Sequence, residues 1–132
     1  MQENVGFNRR TGIFFILLLL GYGAYQLSNI FNVYEELHGT YKVDSNITLY
    51  VTWVSKSALS EDTYRYYFYD ANKKADYFMS HIRHLTPTME TNDNNVMMEI
   101  KEKHIYFRIR GNVLSFNNSG IDFIIHIDVS PN

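Results

Sequence analysis

Histidines and tyrosines are the residues of this chain whose types and spacing invite chemistry. His81 and His84 stand three apart in His81-Ile82-Arg83-His84. On a helix that spacing puts two imidazoles on one face, where they could chelate a metal if a third ligand came from elsewhere. Asp122, His126 and Asp128 fall in phase on one side of an extended C-terminal segment. They could supply that ligand, or be drawn with a serine as a hydrolytic triad. The rest of the sequence argues against both ideas. It has no Gly-x-Ser-x-Gly elbow to present a nucleophile and no glycine-rich loop to cradle phosphate. The plainer reading makes His81 and His84 surface residues flanking a buried Ile82, near a helix C-terminus where cations are favoured. It makes Asp122, His126 and Asp128 a solvated face. The expectation is therefore no catalytic residue, no cofactor and no resident metal, with His81 and His84 the metal candidates if any exist.

Tyrosine is the more unusual signal. The chain holds 11 Tyr and 9 Phe, and Tyr64, Tyr66, Tyr67 and Tyr69 crowd one short segment. Alternation puts Tyr64 and Tyr66 on one face of a strand, suited to a core, and Tyr67 and Tyr69 on the other. Tyrosine brings contact area at little rotamer cost, so Tyr67 and Tyr69 are the expected partner-binding residues.

Bulk composition narrows the classes. There are no cysteines, which excludes disulfides, thiolate chemistry and cysteine-ligated metal. Net charge is −2 with no basic stripe, which argues against nucleic acid as a partner. At 132 residues there is room for one domain once an N-terminal segment is set aside.

That segment is the strongest local signal. Arg9 and Arg10 precede Ile13, Phe14, Phe15, Ile16, Leu17, Leu18, Leu19 and Leu20. Those eight contribute roughly −2 to −5 kcal/mol towards membrane insertion. Gly12 to Phe31 as a helix would measure about 30 Å, enough to cross a bilayer core. Tyr22 and Tyr25 are placed as interfacial aromatics. Basic residues before the run and Glu35 and Glu36 after it predict a cytoplasmic N-terminus and an extracytoplasmic remainder. Leu27, Ile30, Phe31, Tyr34 and Leu37 continue a helical period, and Gly39 suits a helix C-terminus. The sequence is thus divided into a cytoplasmic tail (1–11), a transmembrane helix and stalk (12–38) and an extracytoplasmic β-rich domain (39–132). A cleavable signal peptide is the competing reading, with Gly21-Tyr22-Gly23 as its cleavage site.

Beyond Gly39 the hydrophobic period changes to two. Strands are expected at 40–44, 47–55, 63–69, from Val96 through Ile100, around Ile105–Ile109, after Gly111-Asn112, and over 121–129. One helix, capped by Asp70 or Asn72, carries Ala75, Phe78, Ile82 and Leu85 and stops at Pro87. Gly111-Asn112 reads as a tight hairpin turn that pairs Ile109 with Leu114 and Phe107 with Phe116. The fold class is mainly β (α+β): an antiparallel six- to seven-stranded sheet, sandwich or small barrel with one helix after the third strand. Leu37-His38-Gly39-Thr40-Tyr41 resembles the Gly-x-Trp opening of lipocalin-like barrels, with Tyr for Trp. It covers five residues, implies only a shape, and carries no functional residue across.

These readings converge on a single-pass, membrane-anchored accessory protein. Its partners are expected to be the bilayer and another membrane or envelope protein. The alternatives are a lipocalin-like binder holding a small apolar ligand between the sheet and the helix of Phe78 and Ile82, or a secreted β domain.

Overall fold

The computed structural model describes residues 9–30, 33–56 and 60–131, with the side chains of 27–30 left aside. The chain divides into two compact units, Met1–Asn32 and Val33–Asn132.

Among its described residues the first unit is a single helix, α1 (Arg9–Ile30). Its 22 residues give a length of about 33 Å. Large apolar side chains from Ile13 to Leu20 are exposed, as are Tyr22 and Tyr25. Among the described residues no helix is long and apolar enough to cross a membrane. The reason lies in α1's flanks: Arg9 and Arg10 before the run, and Gly21, Tyr22, Gly23, Tyr25 and Gln26 after it, dilute its eight apolar residues.

The second unit is mainly β, with eight strands in two sheets. The strands are β1 (Tyr34–Lys42), β2 (Ile47–Ser55), β3 (Thr63–Asp70), β4 (Met89–Thr91), β5 (Met97–Lys101), β6 (His104–Arg110), β7 (Val113–Phe116) and β8 (Ile124–Ser130). The larger sheet has the order β1-β2-β3-β4-β7 and the smaller β5-β6-β8. A short helix, α2 (Ala75–His81), runs on into a 3-10 turn at Ile82–His84.

The stalk expectation fails from Tyr34 onward. Tyr34 and Leu37 are not on a helix: they lie in β1, which pairs with β2 from Tyr34 beside Ser55 to Lys42 beside Thr48. Leu27 and Ile30 lie on α1 but their side chains, like all of Phe31, fall outside the described residues. The β1–β2 turn explains the outcome. Asp44 Oδ1 accepts the amides of Asn46 and Ile47, each at 2.8 Å, closing a tight reversal that brings β1 back along β2. Gly39 does not cap a helix with positive φ but follows a bulge between Leu37 and Gly39.

The hairpin expected at Gly111-Asn112 does not form either. β6 and β7 belong to different sheets: β7 pairs with β4, and β6 pairs with β8 in parallel. Neighbouring strands are therefore not all antiparallel. Competing partners capture the turn. Asp93 Oδ2 accepts the Arg110 amide at 2.7 Å, Gly111 N–H donates to Ser130 O at 3.0 Å, and Asn92 Oδ1 accepts the Asn112 amide at 2.8 Å. The chain turns a corner from one sheet to the other, so Phe107 and Ile109 are buried while Leu114 and Phe116 are exposed.

The remaining departures are smaller. β4 lies between the helix and the strand that begins at Val96, where the pattern predicts no strand. It is short but fully buried between β3 and β7. α2 begins after Lys74 with no side-chain cap, and Asp70 instead accepts the Asn72 amide in the preceding turn. β8 starts at Ile124, so Asp122 lies in the loop before it.

The two sheets face each other across one core. Leu49, Val51, Tyr66 and Met89 of the larger sheet meet Ile105, Phe107 and Ile109 of the smaller. On the opposite face of the larger sheet, Tyr50 and Tyr67 pack with Phe78 of α2. The layers are thus small sheet, large sheet, then helix.

Candidate functional site

The outer face of the small sheet concentrates exposed groups with binding chemistry. Alternation along β6 turns Ile105, Phe107 and Ile109 inward and His104, Tyr106 and Arg108 outward. On β8 it turns Ile125 and Ile127 inward and Ile124, His126 and Asp128 outward. Parallel pairing sets Tyr106 directly beside His126, with His104 one diagonal step away. The three rings form a stack. Tyr106 and His126 have centroids 4.3 Å apart and planes within 10°, and His104 and His126 have centroids 5.2 Å apart. His104 Nδ1 and His126 Nε2 are 3.0 Å apart, a hydrogen bond whose proton sits on one ring or the other. Met97 and Ile124 flank the stack at 59% and 54% exposure. Arg108 and Asp128 supply charges of both signs, 3.8 Å from each other. The strands cup a shallow concavity of about 490 Å³ lined by Met97, Glu99, Tyr106, Arg108, His126 and Asp128.

A polar network occupies the helix-facing side of the large sheet. Arg65 bridges Glu35 (Nη1 to Oε1, 3.0 Å) and Glu90 (Nε to Oε2, 3.3 Å). Glu35 Oε2 also accepts the hydroxyls of Tyr67 at 2.7 Å and Thr52 at 2.5 Å. Glu90 Oε2 accepts Thr63 at 2.7 Å and lies 3.4 Å from Lys56 Nζ. Burial alone would raise the Glu90 carboxyl, but the Thr63 hydroxyl and the Arg65 and Lys56 charges outweigh it and hold it below the ordinary range. Burial, then the Glu35 carboxylate, pushes the Tyr67 phenol well up. Every carboxylate here is matched by donors, so the cluster holds the sheet together. It presents no free nucleophile or base.

A second concavity, about 650 Å³, opens at the end of the sandwich where the β1–β2, β5–β6 and β7–β8 connections gather. Phe68 and Phe123 stack at 6.1 Å within it, and Asp44, Asn46, Lys103 and Asp122 lie around it.

The residues singled out from sequence are scattered by this geometry. Tyr67 is 3% exposed and committed to Glu35, so it cannot contact a partner. Tyr69 is half-buried against Tyr50, Tyr77 and Phe78. The place expected for an apolar ligand, under Phe78 and Ile82, is filled: Phe78 is fully buried and stacks on Tyr50 at 4.2 Å. His81 is held in α2, its ring on Tyr77 at 4.1 Å and its Nδ1 2.8 Å from Tyr77 O. His81 and His84 belong to the helix layer and His126 to the small sheet, with the large sheet between them. Among the described residues no group of three His, Cys, Asp or Glu could hold a metal. Sequence reasoning missed His104 and Tyr106 as members of a site. The signal that could have found them is the outward register of β6, unreadable while β8 was not known to be its parallel neighbour.

No protein-family model, curated protein or solved structure matches this chain, and so no enzyme family, relative or structural neighbour is found for it.

Proposed function

We propose that this chain is a membrane-anchored interaction protein. α1 acts as a single-pass signal anchor with its N-terminus in the cytoplasm, and the β-sandwich captures another membrane or envelope protein on the outer face of the small sheet. The observation that carries the reading is the outward-facing stack of His104, Tyr106 and His126 beside Met97 and Ile124. Aromatic rings held on paired strands offer contact area that loses little side-chain freedom on binding. Arg108, Asp128 and Glu99 give that face a rim of both signs, the pattern of a polar-edged protein interface. The exposed apolar run of α1 supports the anchor, since Ile13 to Leu20 gain by leaving water. Gly21 to Tyr25 can complete the crossing because glycine and interfacial tyrosine are tolerated in membrane helices. A tether confines the domain to the membrane plane and raises its local concentration near other membrane proteins.

The test is mild-detergent extraction from native membranes with chemical cross-linking. A stoichiometric partner should be recovered with the intact chain and lost from a Tyr106→Ala, Met97→Ser double variant whose melting temperature is unchanged. Retention of the partner by that variant would exclude this face.

The end cavity favours a second reading, uptake of a small apolar ligand against Phe68 and Phe123, since its volume lies in the range of ligand sites. A fluorescent fatty acid should then brighten on the wild type and stay dark with Phe123→Asp; equal brightening would exclude it.

A further inference from the structure

We propose that His104 and His126 form a two-imidazole site for a divalent transition-metal ion, with Cu(II) the best fit. His104 Nδ1 and His126 Nε2 lie 3.0 Å apart. Two nitrogens this close can both reach one metal ion at about 2.0–2.1 Å once the rings turn out of their mutual hydrogen bond. Tetragonal nitrogen coordination is the preference of Cu(II) and Ni(II), and Cu(II) binds such ligands most tightly among the first-row divalent ions.

The scaffold suits the site. Both histidines stand on hydrogen-bonded parallel strands and project from the same face, so their separation is fixed by sheet register. Tyr106 lies flat on the His126 ring and limits its rotation. His126 is exposed and His104 half-buried, leaving the outward side open to water ligands. In the metal-free pair one imidazole donates a proton to the other. On metal binding that proton moves to the donor ring's other nitrogen, so two neutral imidazoles each present a lone pair and no net proton need be lost. With two protein ligands and the remaining positions filled by water, the ion exchanges readily. The inference does not rest on partner capture: the site stands or falls on two rings of this chain, whatever else binds the face.

The experiment is CuCl2 titration of the full-length protein in detergent, purified without a histidine tag and followed by calorimetry and electron paramagnetic resonance. The parent is a His81→Asn, His84→Asn variant, which removes the competing helical pair. It should bind one Cu(II) with a tetragonal signal showing coupling to two nitrogens. His104→Asn and His126→Asn, each added singly, should weaken binding tenfold or more without altering the circular dichroism or melting temperature. Unchanged copper affinity in either of these, or a parent that binds no copper, would overturn the proposal.

Discussion

Arg65 holds two carboxylates at once on the helix-facing side of the large sheet. Replacing it with Met strands Glu35 and Glu90 in a largely buried setting. Because Arg65 retains some solvent contact, the expected loss is about 2–3 kcal/mol, somewhat below that for a fully buried pair; urea denaturation at neutral pH measures it. The same network sets an acid limb. Glu90 is depressed below its ordinary value of 4.5, so its contribution is fully present above that pH and is lost as pH falls through the depressed native value. Thr63→Val removes one of the contacts that depress it. The variant should be less stable at neutral pH yet lose less stability than wild type on acidification below about pH 4.5; chemical denaturation across that window checks both halves. None of this could be read in the sequence. Glu35 is contributed by β1, read as stalk helix, and Glu90 by β4, where the sequence predicts no strand, so neither carboxylate could be placed beside Arg65. Tyr67 was legible as facing away from the sandwich core, but alternation says nothing about what covers that face, and Glu35 and α2 cover it.

At the scale of elements, period-two alternation was legible wherever a strand had one face in the core. β2, β3 and β6 fall where the pattern puts them, and α2 with Phe78 at its centre does too. Pairing was not legible, because a turn signal specifies a local reversal only while no distant group competes for its amides. At Gly111 the competitors are Asp93, Asn92 and the end of β8. Gly111 has φ of +142°, and a Cβ there would lie 2.6 Å from Asn92 Oδ1. Gly111→Ala should therefore cost about 1–3 kcal/mol through strain and displacement of that contact, measured by thermal unfolding. Phe78→Ala opens a void against Tyr50, Tyr67 and Tyr69 and should cost about 3–5 kcal/mol. It should also expose Tyr69, detectable as increased tyrosine quenching by acrylamide.

For the whole molecule, the mainly β class was legible from composition and period, but the choice of a sandwich over a single sheet or small barrel was not. A sheet of five and a sheet of three become distinct only when the chain's corner at Arg110–Asn112 is known. The anchor is tested at this scale as well. Leu18→Arg places a charge in the middle of the apolar run and adds roughly 3 kcal/mol against insertion. The variant should move from the carbonate-resistant membrane fraction to the supernatant, while Tyr25→Ser should remain in the membrane. Equal fractionation of Leu18→Arg and wild type would remove α1 as the anchor.

The parallel pairing of β6 with β8 bears on how the domain assembles. Residues 104–110 cannot meet 124–130 by a local reversal, because β7 lies between them in sequence and must first cross to join β4. Both ends of β7 lead into the small sheet, so β6 and β8 meet across a segment that belongs to the large one. The chain passes between the sheets at β4–β5, β6–β7 and β7–β8, so neither should persist alone, and the domain should unfold in one cooperative transition. Pairings so distant in sequence form slowly, in milliseconds to seconds. Ile125 and Ile127 of β8 reach the core through that pairing, so refolding followed by stopped-flow fluorescence should fall in the same range.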